Sequence, residues 1–121
     1  MPAAPLVVAL GDQRHLRTGR IAPLYQALQH SRQLRVLTFN STAQLQPHHL
    51  NESQAAVVFC DRRLFVNTGV LLLEKKPDLQ VIIICPQGCK PKNPPAELIY
   101  LEGCRSSQDL LAKIFEVTKN G

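Results

Sequence analysis

The chain has 121 residues, 45% of them apolar, with 14 Lys and Arg against 9 Asp and Glu, a formal net charge of +5. That is enough polypeptide for one domain with a real core and too little for two. No run approaches the roughly 18 apolar residues needed to span a bilayer, and the opening Met1, Pro2, Ala3, Ala4 and Pro5 lack the basic start and long apolar stretch of a signal peptide. The expected setting is cytoplasmic, with no membrane contact. There the 4 cysteines read as reduced thiols, because small secreted disulfide domains are denser in Cys. The basic residues are scattered along the chain, so direct nucleic-acid binding by this domain is not expected.

Leu6, Val7, Val8, Ala9 and Leu10 form a short apolar run that stops at Gly11 and Asp12, the pattern of a strand buried on both faces of a parallel sheet. Ile21, Leu24, Tyr25 and Leu28 then recur with helical spacing. Pro23 is tolerated only near a helix start, so a helix is expected over residues 19–30. Residues 34–39 alternate in part, as a strand does, and end at Asn40, Ser41 and Thr42, types that favour turns and caps. The stretch 43–53 is polar, rich in Gln and His, and contains Pro47; a short helix is expected within it. His48 and His49 are expected to face solvent and, being adjacent, to point apart.

Residues 55–60 are a second run of the doubly buried type, ended abruptly by Asp61, Arg62 and Arg63. Gly69 precedes Val70, Leu71, Leu72 and Leu73, then Glu74, Lys75, Lys76 and Pro77, which reads as a short helix with cations near its C-terminus. Residues 79–85 are the most apolar of the chain and β-branched at their centre, as a central strand requires. Pro86, Pro91, Pro94 and Pro95 exclude a helix of any length before the next short strand, 98–101, and leave a Pro-rich loop. From Ser106, with Asp109 as a first-turn acid, Leu110, Leu111, Ile114, Phe115 and Val117 mark a closing amphipathic helix. Strands alternating with helices imply parallel pairing through right-handed crossovers, a three-layer α/β sandwich.

Chemistry is signalled mainly by what is missing. Gly11, Asp12 and Gln13 are neither a dinucleotide fingerprint nor a P-loop, and no Ser, His and Asp set carries a local catalytic signature. Cys60, Cys85, Cys89 and Cys104 fall at or beyond the ends of strands three, four and five. The spacing of Cys85 and Cys89 is looser than a zinc knuckle, however, and no His adjoins it, so these thiols read as small buried apolar groups. No catalytic residue, metal or cofactor is expected.

The run Ala56-Val57-Val58-Phe59-Cys60-Asp61, followed by Gly69 and by Pro77-Asp78-Leu79-Gln80-Val81-Ile82-Ile83, resembles the phosphoacceptor strand, pre-helix Gly and fourth-strand entry of two-component response-regulator receiver domains. The resemblance covers residues 1–121 as a single receiver-like domain. It implies a flavodoxin-like fold, a five-stranded parallel sheet of order 2-1-3-4-5, with the helix between strands four and five replaced by the Pro-rich loop. It places Asp61 at the phosphoacceptor position and Asp12 as the remainder of the acidic pair that anchors a divalent metal. Where the family has a Thr or Ser at the end of strand four this chain has Cys85, and where it has a Lys after strand five the chain has Glu102 or Gly103. Phe65 replaces the Pro found beyond the acceptor. A carboxylate repels a phosphoryl oxygen and a thiol is a weak donor, so the likeness is to a pseudo-receiver in which Asp12, Asp61, Cys85 and Glu102 are vestigial positions.

The function implied is a non-catalytic regulatory module in signal transduction, acting through protein–protein contacts and forming the N-terminal part of a longer transcription or signalling regulator. Strand five is expected at a sheet edge in need of cover, and the last helix is more apolar than one stripe requires. Ile99, Tyr100, Leu101, Leu111 and Phe115 are therefore the candidate interface, for a homodimer or for the protein's own effector domain. Two rival readings are a working receiver phosphorylated on Asp61 and a stand-alone flavodoxin-like protein binding a small ligand in the strand-end cleft.

Overall fold

The computed structural model describes residues 5–11, 21–40, 44–59, 68–85, 88, 92, 98–103 and 106–119. Within them the chain runs β1 (Leu6–Leu10), α1 (Ile21–His30), β2 (Arg35–Phe39), α2 (Pro47–Glu52), β3 (Ala55–Phe59), α3 (Thr68–Lys75), β4 (Gln80–Cys85), β5 (Leu98–Glu102) and α4 (Ser107–Lys119). All pairings are parallel, in one five-stranded sheet ordered β2-β1-β3-β4-β5. Burial explains the order. Strands β1 and β3 are buried throughout and β4 is buried beyond Gln80, whereas β2 and β5 are half-exposed. Continuous apolar runs are stable only where helices cover both faces, so the three most apolar strands take the centre and the mixed ones the edges.

The pleat then divides the core in two. On one face Val7, Ala9, Val57, Phe59, Ile82 and Ile84 meet Leu24 and Leu28 of α1 and Leu110 and Ile114 of α4. On the other, Val8, Leu10, Val58, Val81 and Ile83 meet Leu50 of α2 and Leu72 of α3. Helix α1 begins its apolar stripe at Ile21 as its spacing predicts, and Pro23 lies in its first turn, where amides have no partner within the helix. The Tyr25 hydroxyl donates to Thr38 Oγ1 at 3.0 Å and ties α1 to β2, while its ring meets Phe59 edge-on with centroids 5.9 Å apart.

Two close approaches seat the other layer. Gly69 lies in the first turn of α3, where a β-carbon would come within 2.9 Å of Leu98 Cδ2 and 3.0 Å of Ile83 Cδ1. The missing side chain is what lets α3 settle on β4 and β5. Just past α3, the Lys76 ammonium donates to the carbonyls of Leu50 at 3.0 Å, Asn51 at 3.3 Å and Ser53 at 2.7 Å. Those carbonyls belong to the end of α2 and the step into β3, where a short helix leaves carbonyls short of donors; Leu50 O also accepts the Ser53 amide at 3.1 Å.

One expectation needs correcting. Strand β5 extends to Glu102, one residue further than its apolar run, because Glu102 still pairs with Cys85. On helix α4, Leu110 and Ile114 are buried, while Leu111, Phe115 and Val117 pack against the same core as partly buried neighbours. The apolar positions of that helix form one broad stripe. Among the described residues the exposed large hydrophobic side chains are Val70 and Leu71 of α3. The Pro-rich loop expected in place of a helix lies outside the described residues, apart from Gly88 and Lys92.

Candidate functional site

Open α/β sheets bind ligands beyond the carboxyl ends of their strands, where the winding of the chain reverses. In this sheet the reversal falls between β1 and β3, where Leu10 lies opposite Val58. Gly11 follows β1 and donates its amide to Phe39 O at 3.2 Å, extending the ladder with β2. Phe59 ends β3 opposite Ile84. Asp12 and Asp61, the two acidic positions expected at this edge, lie outside the described residues, as do Cys60, Cys89 and Cys104.

Cys85 and Glu102, the other two positions expected there, are brought together as direct partners across the β4 and β5 ladder. Cys85 is buried, and its carbonyl accepts the Gly103 amide at 2.8 Å. Glu102 is exposed and its Oε2 accepts the Gly88 amide at 2.7 Å. That charge-assisted bond holds a point of the β4–β5 connection against the end of β5. Gly88 sits at φ +91, a backbone setting that side chains with a β-carbon rarely adopt. The edge thus presents a carboxylate already engaged by a backbone donor, next to a buried thiol. Among the described residues no three His, Cys, Asp or Glu side chains gather as a metal site.

The β2 end of the same edge holds a group that sequence reasoning misread. Asn40, just past β2, donates its amide to Gln44 Oε1 at 2.7 Å. His48 and His49 do not diverge: their ring centroids are 4.1 Å apart, and the His49 ring also lies 4.9 Å from that of Phe39. His48 is exposed, as expected, but His49 is half-buried and turns back to accept the Gln46 amide on Nδ1 at 3.0 Å. Recognising Gln46 as the residue before a helix that starts at Pro47 is the one sequence signal for this role.

The candidate interface residues sit around β5. Ile99, Leu101, Leu111 and Phe115 pack on the α1 and α4 face, whereas alternation along the strand puts Tyr100 on the opposite face with α3. They share the β5 edge of the sheet rather than one layer. At the opposite, amino-terminal end of the strands a cleft of about 370 Å³ is lined by Ser53, Gln54, Lys76, Asp78, Gln80, Glu116 and Val117. Its lysine is already committed to the α2 carbonyls. None of the described helices is long and apolar enough to cross a membrane.

No family model and no curated protein sequence matches the chain. Among solved structures it is similar to the crystal structure of a response regulator receiver protein from Sinorhizobium medicae WSM419, with a TM-score of 0.68 and 15% sequence identity over 96% of this chain and 95% of that one. The match spans both proteins nearly end to end, and the sheet order agrees with the expected 2-1-3-4-5. By sheet order, helix layers and this likeness, the chain has the flavodoxin-like fold of a response-regulator receiver.

Proposed function

We propose that the protein is a receiver-like regulatory module that works through protein–protein contacts, without catalysis and without phosphorylation. The observation that carries this reading is the pairing of Cys85 with Glu102 at the carboxyl ends of β4 and β5, with the Glu102 carboxylate bound to the Gly88 amide. Phosphoryl transfer to an aspartate leaves a group of about −1.5 to −2 charge that must be met by cations and strong donors. A thiol is a weak donor and a carboxylate repels the group. What the edge offers instead is an internally satisfied anion.

The partner surface in this reading is the β5 edge, where Tyr100, Ile99 and Leu101 are each half-buried in the isolated chain. It takes a second copy of the chain or an effector domain of the same regulator, with apolar burial as the driving term. Sedimentation of the purified chain at tens of micromolar tests the dimer form of the proposal. The expected result is an average mass that rises with concentration in the wild type and stays at the monomer value in Tyr100→Asp, with the far-ultraviolet circular dichroism of the variant unchanged. A wild-type mass fixed at the monomer at every concentration overturns the dimer.

A further inference from the structure

We infer that the outer edge of β2 is a docking strand for an acidic, extended segment of a partner polypeptide; this goes beyond the proposed function, which concerns the β5 edge, and does not depend on it. The cations of the chain are spread in number but not in balance. Residues 13–51 hold five arginines, all four histidines and no Asp or Glu, so they carry the whole net charge of +5, and the remainder has 9 Lys and Arg against 9 acids. Asp12 and Glu52 bracket the stretch, Asp12 outside the described residues and Glu52 exposed at the end of α2. Arg14, Arg17 and Arg20 precede α1 in sequence, also outside the described residues. The described part supplies β2, the last strand of the sheet, with α1 against one face through Tyr25 and Thr38 and α2 against the other through His49 and Phe39.

The backbone of β2 is set to receive a further strand. Arg35 donates its amide to Pro5 O at 2.9 Å, and Phe39 O accepts the Gly11 amide at 3.2 Å, so these residues turn their backbone groups to the β1 side. By the alternation of a parallel ladder, the N–H and C=O groups of Val36 and Thr38 turn outward, the template that an added peptide strand uses. Val36, Leu37 and Phe39 are half-buried, and the side chains of an added strand would cover what they still expose. His30, Arg32 and Arg35 are exposed at the amino end of β2 and set the sign of the partner. A second copy brings the same arginines and no acid along this stretch to meet them, whereas Asp or Glu side chains fit the guanidinium fork. A nucleic acid would meet the charge but leave the outward carbonyls and the apolar side chains uncovered. Charge and backbone together point to an acidic polypeptide.

The test is NMR on the intact chain with a capped peptide of alternating Glu and Val, about nine residues long. At a peptide concentration about ten times its dissociation constant the free form falls about tenfold, and solvent exchange of the Val36 and Thr38 amides should slow by that factor. The same peptide with Lys in place of Glu should not bind. The double variant Arg32→Gln, Arg35→Gln should bind the Glu peptide about three- to tenfold more weakly, the size of two exposed ion pairs. No binding of the Glu peptide at about 1 mM overturns the proposal, a concentration that detects even the weakest specific contact. So does binding that leaves exchange at Val36 and Thr38 unchanged, equal binding of the Lys peptide, or tighter binding of a mixed-sequence DNA duplex on the same residues. The wild-type readings need no variant and are decisive if the arginine substitutions do not fold.

Discussion

Phe59→Ala is expected to cost about 3–4 kcal/mol of folding free energy, the usual loss for a large aromatic truncated in a core that cannot collapse around the gap. Phe59 is fully buried at the end of β3, between β1 and β4, and its ring meets that of Tyr25 edge-on at 5.9 Å. A central strand flanked on both sides by paired neighbours has little freedom to close the cavity. The aromatic contact with Tyr25, worth about 0.5–1.5 kcal/mol beyond area, is lost as well. Urea denaturation of the two proteins measures the difference, and Phe59→Leu should recover most of it because volume is largely restored. A loss under 1 kcal/mol for the alanine variant would mean that α1 does not sit on β3 as described.

Gly69→Val should be the next most damaging, at about 2–3 kcal/mol, because it overpacks a site with no room. The first added carbon already falls 2.9 Å from Leu98 and 3.0 Å from Ile83, and both of those side chains are buried. Two further methyl groups then have to displace α3 or β5. Gly69→Ala separates the two opposing terms. It gains about 1 kcal/mol of helix propensity and forces shifts of a few tenths of an ångström in two side-chain termini, so a net change near zero is expected. Parallel thermal or urea unfolding of the three proteins checks the order glycine, alanine, valine. Equal stability for all three contradicts the close seating of α3.

The strands were legible because each is either buried on both faces or visibly mixed, and that difference alone sorts Val57 and Ile82 to the centre and Thr38 and Tyr100 to the edges. Helix α1 was legible from the spacing of Leu24 and Leu28. Cys85 was legible as a strand end, whereas Glu102 read as the residue just past one because its charge hides that it still pairs in the ladder with Cys85. What stayed hidden depends on groups distant in sequence or on backbone partners. Nothing about Lys76 announces that it reaches carbonyls more than twenty residues earlier. The His49 role is hidden because its acceptor function goes to a main-chain amide, which carries no residue-type signal. How far the apolar residues of α4 are used by the core was also hidden, because a broad stripe and a narrow stripe with leftovers look alike in sequence; over the sheet, Leu110 and Ile114 are buried and Leu111, Phe115 and Val117 partly so.

The most direct test of the central claim, a receiver fold without receiver chemistry, is intact-mass measurement of the purified protein after incubation with acetyl phosphate and excess Mg²⁺, beside Asp61→Asn treated alike. The pairing of a buried thiol with a carboxylate already bound to Gly88 predicts no phosphoryl mass on either protein. One phosphoryl group per wild-type chain, missing from Asp61→Asn, would contradict it.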